Sequence, residues 1–458
     1  MIRGGKRLAL ASIIAIGLLA AACSSSARPS TGAPATTNGN RAADREHAVG
    51  TLTETLVDPG RATDGSTRPT GARRTLRTVV FYPAIGPVRS GAAANVAPDV
   101  AHGPYPLIVF AHGYGSTPLE AETLVESWAG AGYVVAAPAF PLTNAKAAGG
   151  PNAADYVHQP ADMSYVITAM FGATGSSGPL QNLVDVHAPV GIAGHSLGGI
   201  TTLGLAVDTC CHDDRIKAAI VMSGDALTFP GGRFDYAHAP ALLFVHGTAD
   251  PVVSYESSVD AFNLARGPKG LLSLPGGDHG APVDPKGKLF ANVTIATRTF
   301  FDKYLKRATG AVTDTGPGVA SGAAKLVFDA SPGSNTTLPT TPTTVGRARQ
   351  ATASATTGLR AGQSVTLNWS HFTPGKSVNI VECSERDTLD AAACDLKHAT
   401  LLHPDPTGSG SVEFAIVSGA VGNGVCDAAH DTCALIVNDG GSFDRAASVR
   451  IPITFASG

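Results

Sequence analysis

Residues 190–203 read VGIAGHSLGGITTL and contain Ser196 in a Gly194-His195-Ser196-Leu197-Gly198 pentapeptide. A serine hydroxyl is a weak nucleophile until a histidine takes its proton and a carboxylate orients that histidine. The pentapeptide lies where an apolar strand pattern (VGIAG) gives way to a helical one. A sharp strand-to-helix turn of that kind lifts a nucleophilic serine clear of a sheet. The other reading is a bare glycine turn, and the rest of the chain has to separate the two.

In a strand–turn–helix arrangement of this type the acid and the base follow the serine, on loops after later strands. ALLFVHGTADPVV places Asp250 just past an apolar strand and before a helix, and LLSLPGGDHGAP places His279 in a glycine-rich loop after a short strand. Asp225, after the strand pattern 216–224, is the alternative acid. His195, inside the turn, and His112, in FAHGYGSTP, read as structural, and Asp278 as shaping its loop. A developing oxyanion needs two N–H donors. Leu197, behind the nucleophile at a helix N-terminus, and Tyr114, in the early strand-to-helix loop, are the expected pair. The chemistry these residues could perform is acyl transfer, without metal or organic cofactor.

The surrounding elements must hold those loops. With 458 residues, 53 Gly and 31 Pro, two domains joined by linkers are expected. Charged residues make up 15%, the formal net charge is −3, and no dense Lys/Arg run follows the first few residues, so nothing points to nucleic acid. Arg3, Lys6 and Arg7 precede an apolar run from Leu8 to Ala22, which reads as a signal peptide over 1–22. A run of about 15 residues is short for a membrane span. Cys23 follows directly and is the candidate lipidated residue, giving an exported, envelope-anchored lipoprotein; Ala20-x-Ala22 equally suits cleavage to a secreted protein.

Residues 23–48 read as a tether and 308–348 as a linker enclosing one apolar patch, KLVFD. Between them, 49–307 alternates apolar strands (77–83, 106–113, 133–138, 190–195, 216–224, 241–247) with helical patterns (119–132, 159–172, 196–209, 286–306). The strands are too uniformly apolar to have a wet face, so the expected fold class is α/β, a mostly parallel, doubly wound sheet. Residues 349–458 alternate in strand fashion and predict a small all-β sandwich.

Of seven cysteines, six remain once Cys23 is set aside. Cys210 and Cys211 are adjacent, and side by side they suit a vicinal disulfide or two buried thiols better than a metal site. Cys383, Cys394, Cys426 and Cys433 fall in the tail as two close pairs, as an oxidising compartment permits.

Residues from about 49 to 306 resemble the secreted α/β-hydrolases of the platelet-activating-factor acetylhydrolase, dienelactone hydrolase and bacterial cutinase-like group. RTLRTVVFYPA, PLIVFAHGYGSTP, GYVVAAPAFP, HQPADMSYVITAM, GIAGHSLGG, HGTADPVV and GGDHG carry the resemblance. It implies ester hydrolysis through an acyl-enzyme with Ser196, Asp250 and His279, on a small ester or lipid-like substrate, with the Tyr114 ring flooring the acyl pocket. One departure is that polyester-degrading cutinases carry a Trp-His pair where this chain has Ser223-Gly224-Asp225-Ala226. The tail is similar to the neocarzinostatin type, an immunoglobulin-like sandwich, which implies the pairs Cys383–Cys394 and Cys426–Cys433 and a binding or spacer role. Two further readings fit the sequence: a catalytically silent ligand-binding or adhesion lipoprotein, and an amidase or peptidase on the same fold.

Overall fold

The structure is a computed structural model describing residues 46–457, apart from 64–71, 228, 320–321, 334, 341–347, 375–376, 386–392, 397, 403–406, 431 and 440–447. The signal peptide, Cys23 and nearly all of the tether lie outside the described residues.

Ten strands form one mixed sheet: β1 (Ala48–Ala62), β2 (Arg73–Ala84), β3 (Ala93–Ala94), β4 (Leu107–Ala111), β5 (Val134–Ala139), β6 (Val190–His195), β7 (Ile216–Met222), β8 (Ala241–Gly247), β9 (Lys269–Leu274) and β10 (Lys325–Asp329). Their order is β10-β9-β8-β7-β6-β4-β5-β2-β1-β3. The run from β5 through β9 is parallel, whereas β2 joins β5, β1 joins β2 and β10 joins β9 antiparallel.

Both faces are dry because side chains alternate across each strand. Leu107, Val109 and Ala111 of β4 face a cluster with Met163, Val166 and Ile167 of α2 (Gln159–Thr174), Leu203 of α3 (Leu197–Val207) and Phe262 of α4 (Tyr255–Leu264). Ile108 and Phe110 face the opposite way, toward Leu124 and Trp128 of α1 (Glu122–Gly130) and Phe300 and Phe301 of α5 (Phe290–Leu305). Arg74 of β2 is fully buried between Asp155 and Asp162, and Arg61 of β1 also reaches Asp162. These pairs fasten the long β1–β2 hairpin to the start of α2.

Two segments differ from the sequence expectation. The patch KLVFD, expected inside a linker, is edge strand β10, with Leu326 opposite Leu272 and Phe328 opposite Gly270. Beyond it, the backbone of Leu338 exchanges two hydrogen bonds with the Asn263 side chain. The α/β unit therefore holds the chain well past residue 307. At the other end, His47 is already buried and β1 starts at Ala48, inside the expected tether. Short apolar segments between Gly- and Pro-rich stretches take their structure from a partner strand, which periodicity does not reveal. Among the described residues, no helix is long and apolar enough to cross a membrane.

The tail packs two small antiparallel sheets. One is β11 (Gln350–Ala353), β12 (Ser364–Ser370) and β15 (Gly410–Ala415); the other is β14 (Thr400–Leu402), β13 (Val378–Cys383), β18 (Ala434–Asp439) and β19 (Ser448–Pro452). Strands β16 (Gly419–Val421) and β17 (Gly424–Cys426) form a hairpin. Val365, Leu367 and Trp369 of β12 meet Ile380 of β13 and Leu435 and Val437 of β18 in a shared core. Cys383 is bonded to Cys394, and Cys426 to Cys433.

Glu382, on β13, is fully buried; its Oε2 accepts from Val417 N–H at 2.9 Å, while Oε1 meets no donor among the described residues. Burial pushes its carboxyl up to about 7, outweighing the Val417 bond. A carboxyl raised in the fold above its unfolded value binds an extra proton between the two, so its contribution to stability is present at low pH and lost as pH rises to about 7. In thermal melts of the full chain, Glu382→Gln should gain roughly 5–10 °C over wild type in the sandwich transition as pH goes from about 5 to about 8. A difference between the two that does not change with pH would remove Glu382 as the titrating group.

Candidate active site

Ser196 sits between β6 and α3 with φ 56° and ψ −120°, a region that costs a non-glycine residue on the order of 1–3 kcal/mol. Its neighbours enforce the turn. A Cβ on Gly194 would fall 2.1 Å from the Gly198 carbonyl oxygen, and one on Gly198 would fall 2.0 Å from that of Ala111. Ser196 N–H donates to Met222 O on β7 at 2.9 Å, and Ile200 N–H donates to Ser196 O. The serine is thus clamped between a sheet and the first turn of a buried helix.

The structure brings Ser196, His279 and Asp250 into one hydrogen-bonded chain. His279 Nε2 lies 2.8 Å from Ser196 Oγ, and Nδ1 lies 2.8 Å from Asp250 Oδ2. The carboxylate can only accept, so Nδ1 carries the hydrogen and Nε2 is left to take the serine proton. Asp250, in the loop between β8 and α4, is buried with its Oδ1 accepting from Val252 and Val253 N–H. Burial opposes its charge, but hydrogen bonds from His246 and His279 and from the Val253 amide hold its carboxyl well below the usual carboxylate range. Asp225 is not part of this chain: it accepts from the amide of Ala226.

Leu197 is the first residue of α3, so its N–H has no acceptor within the helix. In the loop after β4, Gly113 N–H donates to Glu120 Oε2 and Gly115 N–H to Thr143 O, which leaves the intervening Tyr114 N–H without an acceptor among the described residues. That loop passes close to Ser196, since a Cβ on Gly113 would come within 3.2 Å of Ser196 Cβ. The Tyr114 ring is half exposed and its hydroxyl donates to Pro151 O. His112 is buried, donates Nδ1–H to Gly113 O and accepts at Nε2 from Phe140 N–H; burial lowers its pKa.

Three polar residues, two of them passed over by pattern reading, complete the site. Glu120 accepts from Gly113 N–H with Oε2 and from His195 Nδ1 with Oε1 at 3.1 Å. His195 Nε2 in turn donates to the backbone oxygen of His279 at 2.8 Å. Both His195 nitrogens therefore face acceptors, which suits the imidazolium: burial works against the charge, and the Glu120 bond overcomes it and raises the pKa. One carboxylate thus holds the loop of one expected oxyanion donor and, through His195, the loop of His279. The third is His246 at the end of β8. Its Nε2 lies 3.1 Å from both Asp250 Oδ2 and Val253 O, so it donates there, and its Nδ1 meets Ser258 Oγ. The sequence signal for His246 is its place four residues before Asp250 on a strand end; for Glu120 there is none, because its partner His195 lies 75 residues away.

Cys210 and Cys211 are bonded to each other just past α3. With Asp208 they form a close group of potential ligands, but the bond between the sulfurs leaves no thiolate to hold an ion.

Residues 351–455 match the model of the neocarzinostatin family. The small antiparallel β domain at the C-terminus is thus neocarzinostatin-like. Among solved structures, a ferulic acid esterase from Streptomyces cinnamoneus is similar over 61% of this chain and 96% of its own, at 22% identity and a TM-score of 0.47. No curated protein matches the chain.

The Glu120–His195 pair can be examined directly. In Glu120→Gln the His195 imidazole should titrate at a lower pH than in wild type, followed by histidine side-chain NMR. An unchanged midpoint would mean that another group sustains the His195 charge.

Proposed function

We propose that the protein is an exported serine esterase of the α/β-hydrolase fold, hydrolysing short- to medium-chain carboxylic esters through an acyl-enzyme. The observation that carries the reading is the unbroken chain Ser196 Oγ–His279 Nε2, His279 Nδ1–Asp250 Oδ2, built on a strained serine at a helix N-terminus.

Ser196 Oγ attacks the ester carbonyl carbon while His279 Nε2 takes its proton. Asp250 orients the ring and offsets the charge of the imidazolium. The oxyanion is received by the N–H groups of Leu197 and Tyr114, backed by the α3 dipole. His279 then returns the proton to the leaving alkoxide oxygen, giving an alcohol and an acyl-serine. Water, deprotonated by His279, attacks that acyl carbon, and the carboxylic acid leaves as Ser196 regains its proton. The three disulfides fit an oxidising compartment, and a lipid anchor at Cys23 would hold the enzyme at the envelope surface. The C-terminal domain is the binding or spacer module of this reading.

Hydrolysis of p-nitrophenyl esters from C2 to C12 by residues 24–458 tests the proposal. Turnover should vanish in Ser196→Ala and fall about 10³–10⁴-fold in kcat in Asp250→Asn, which strands the histidine in the wrong tautomer. No turnover on any ester by folded wild-type protein would overturn the esterase reading.

A further inference from the structure

The peptide group that aims Asp250 has a second end. Its N–H, that of Val253, donates to Asp250 Oδ1 at 2.9 Å, and its oxygen, Val252 O, accepts from the Ser377 hydroxyl at 3.3 Å. Ser377 belongs to the C-terminal domain, where it stands immediately before β13. It is 2% exposed, and among the described residues Val252 O has no other donor and the Ser377 hydroxyl no other acceptor. Removing the hydroxyl therefore leaves that carbonyl unpaired.

From Ser377 the hydrogen bonds run unbroken to Ser196. They pass from Ser377 Oγ to Val252 O, from Val253 N–H to Asp250 Oδ1, from Asp250 Oδ2 to His279 Nδ1, and from His279 Nε2 to Ser196 Oγ. The Val252–Val253 peptide bond is trans and planar, so its oxygen and hydrogen point in opposite directions and holding one fixes the aim of the other. A hydrogen bond accepted at the oxygen also strengthens the N–H as a donor. The sandwich has a second hold on the α/β unit, at the other end of the same strand. Cys383, which closes β13, is bonded to Cys394, and Asp395 N–H donates to Glu382 O. Leu396, next in that loop, packs on the margin of the cluster formed by Tyr156, Leu197, Ile200 and Phe229. With both ends of β13 against the α/β unit, Ser377 is kept facing the acid loop.

Resting on the esterase reading above, we propose that the C-terminal domain takes part in catalysis through Ser377, a positioning residue that sets the orientation of Asp250 by way of the Val252–Val253 peptide. Asp250 in turn holds the tautomer and the aim of His279. Ser377 acts on the rate of the chemical step and not on substrate affinity, because no group between it and Asp250 is one that the reaction brings against the ester. The carboxylate of the triad is then aimed from both domains: Val252 and Val253 supply the amides, and the sandwich holds one of the two peptide groups from behind.

The test compares the full chain in wild-type, Ser377→Ala and Ser377→Thr forms on p-nitrophenyl acetate. Ser377→Ala should lower kcat about five-fold and leave KM within about two-fold of wild type, and Ser377→Thr, which keeps the hydroxyl, should restore kcat. In an Asp250→Asn background the same Ser377→Ala step should cost less than about two-fold, since both changes act through one carboxylate. The low-field proton NMR signal of His279 Nδ1–H, identified by its loss in Asp250→Asn, needs no turnover. It should move in Ser377→Ala and keep its wild-type place in Ser377→Thr. If wild type hydrolyses no ester while that signal still follows Ser377, the esterase reading fails and the coupling between the domains stands. A signal unmoved by Ser377→Ala, one displaced as far by Ser377→Thr, or an active enzyme whose kcat is indifferent to Ser377→Ala overturns the proposal.

Discussion

A serine keeps a backbone φ of 56° only where its surroundings leave it no other choice. Around Ser196 the means are ordinary ones: a backbone bond to the neighbouring strand, a helix beginning at the next residue, and two glycines through which three main-chain segments approach within contact. The parallel order of β4, β6 and β7 matters chiefly because it brings those segments to the same end of the sheet. Relaxing the turn would swing the hydroxyl away from His279 and turn the Leu197 amide with it. The cost is a local instability, offset by α3 being buried along its whole length.

Around the serine, two carboxylates, one buried and one half-buried, organise two histidines in opposite ways. Asp250 takes one hydrogen from His279 and leaves its other nitrogen bare, so that ring stays available to a proton from the serine. Glu120 and the His279 carbonyl between them occupy both nitrogens of His195, an arrangement that favours the imidazolium and raises the pKa of that ring. Two imidazoles with centroids 5.0 Å apart are thereby kept from exchanging roles. The backbone amides that each carboxylate also accepts tie this division of labour to the loops themselves, Gly113 for Glu120 and Val252 and Val253 for Asp250.

What the sequence made legible follows from how local each signal is. The Ser196 turn is read from apolar runs on either side of one pentapeptide, and Asp250 and His279 from strand ends that must face the same way in a parallel sheet. The uniformly apolar strands likewise announce a sheet covered on both faces. Strand β10 is another matter, because LVF between charged ends has no period long enough to mark it, and only the exposed edge of β9 gives it a place. Glu120, His246 and Leu396 are invisible for the same reason at the level of side chains. Their partners lie on other elements, and nothing in STPLEAETL or ACDLKH sets those residues apart from solvated ones.

Among the described residues, the last point at which a hydrogen bond ties the outgoing chain to the α/β unit is Leu338, and the first strand of the sandwich begins at Gln350. The chain advances about 12 residues between them, a contour of at most ~40 Å. A domain confined to that radius is present at an effective concentration on the order of millimolar, independent of how dilute the protein is. Contacts such as those of Leu396 and the Ser377 hydroxyl then need only be weak to be populated. The tie thus frees the surface between the domains from having to be large: it can be small and still be found assembled.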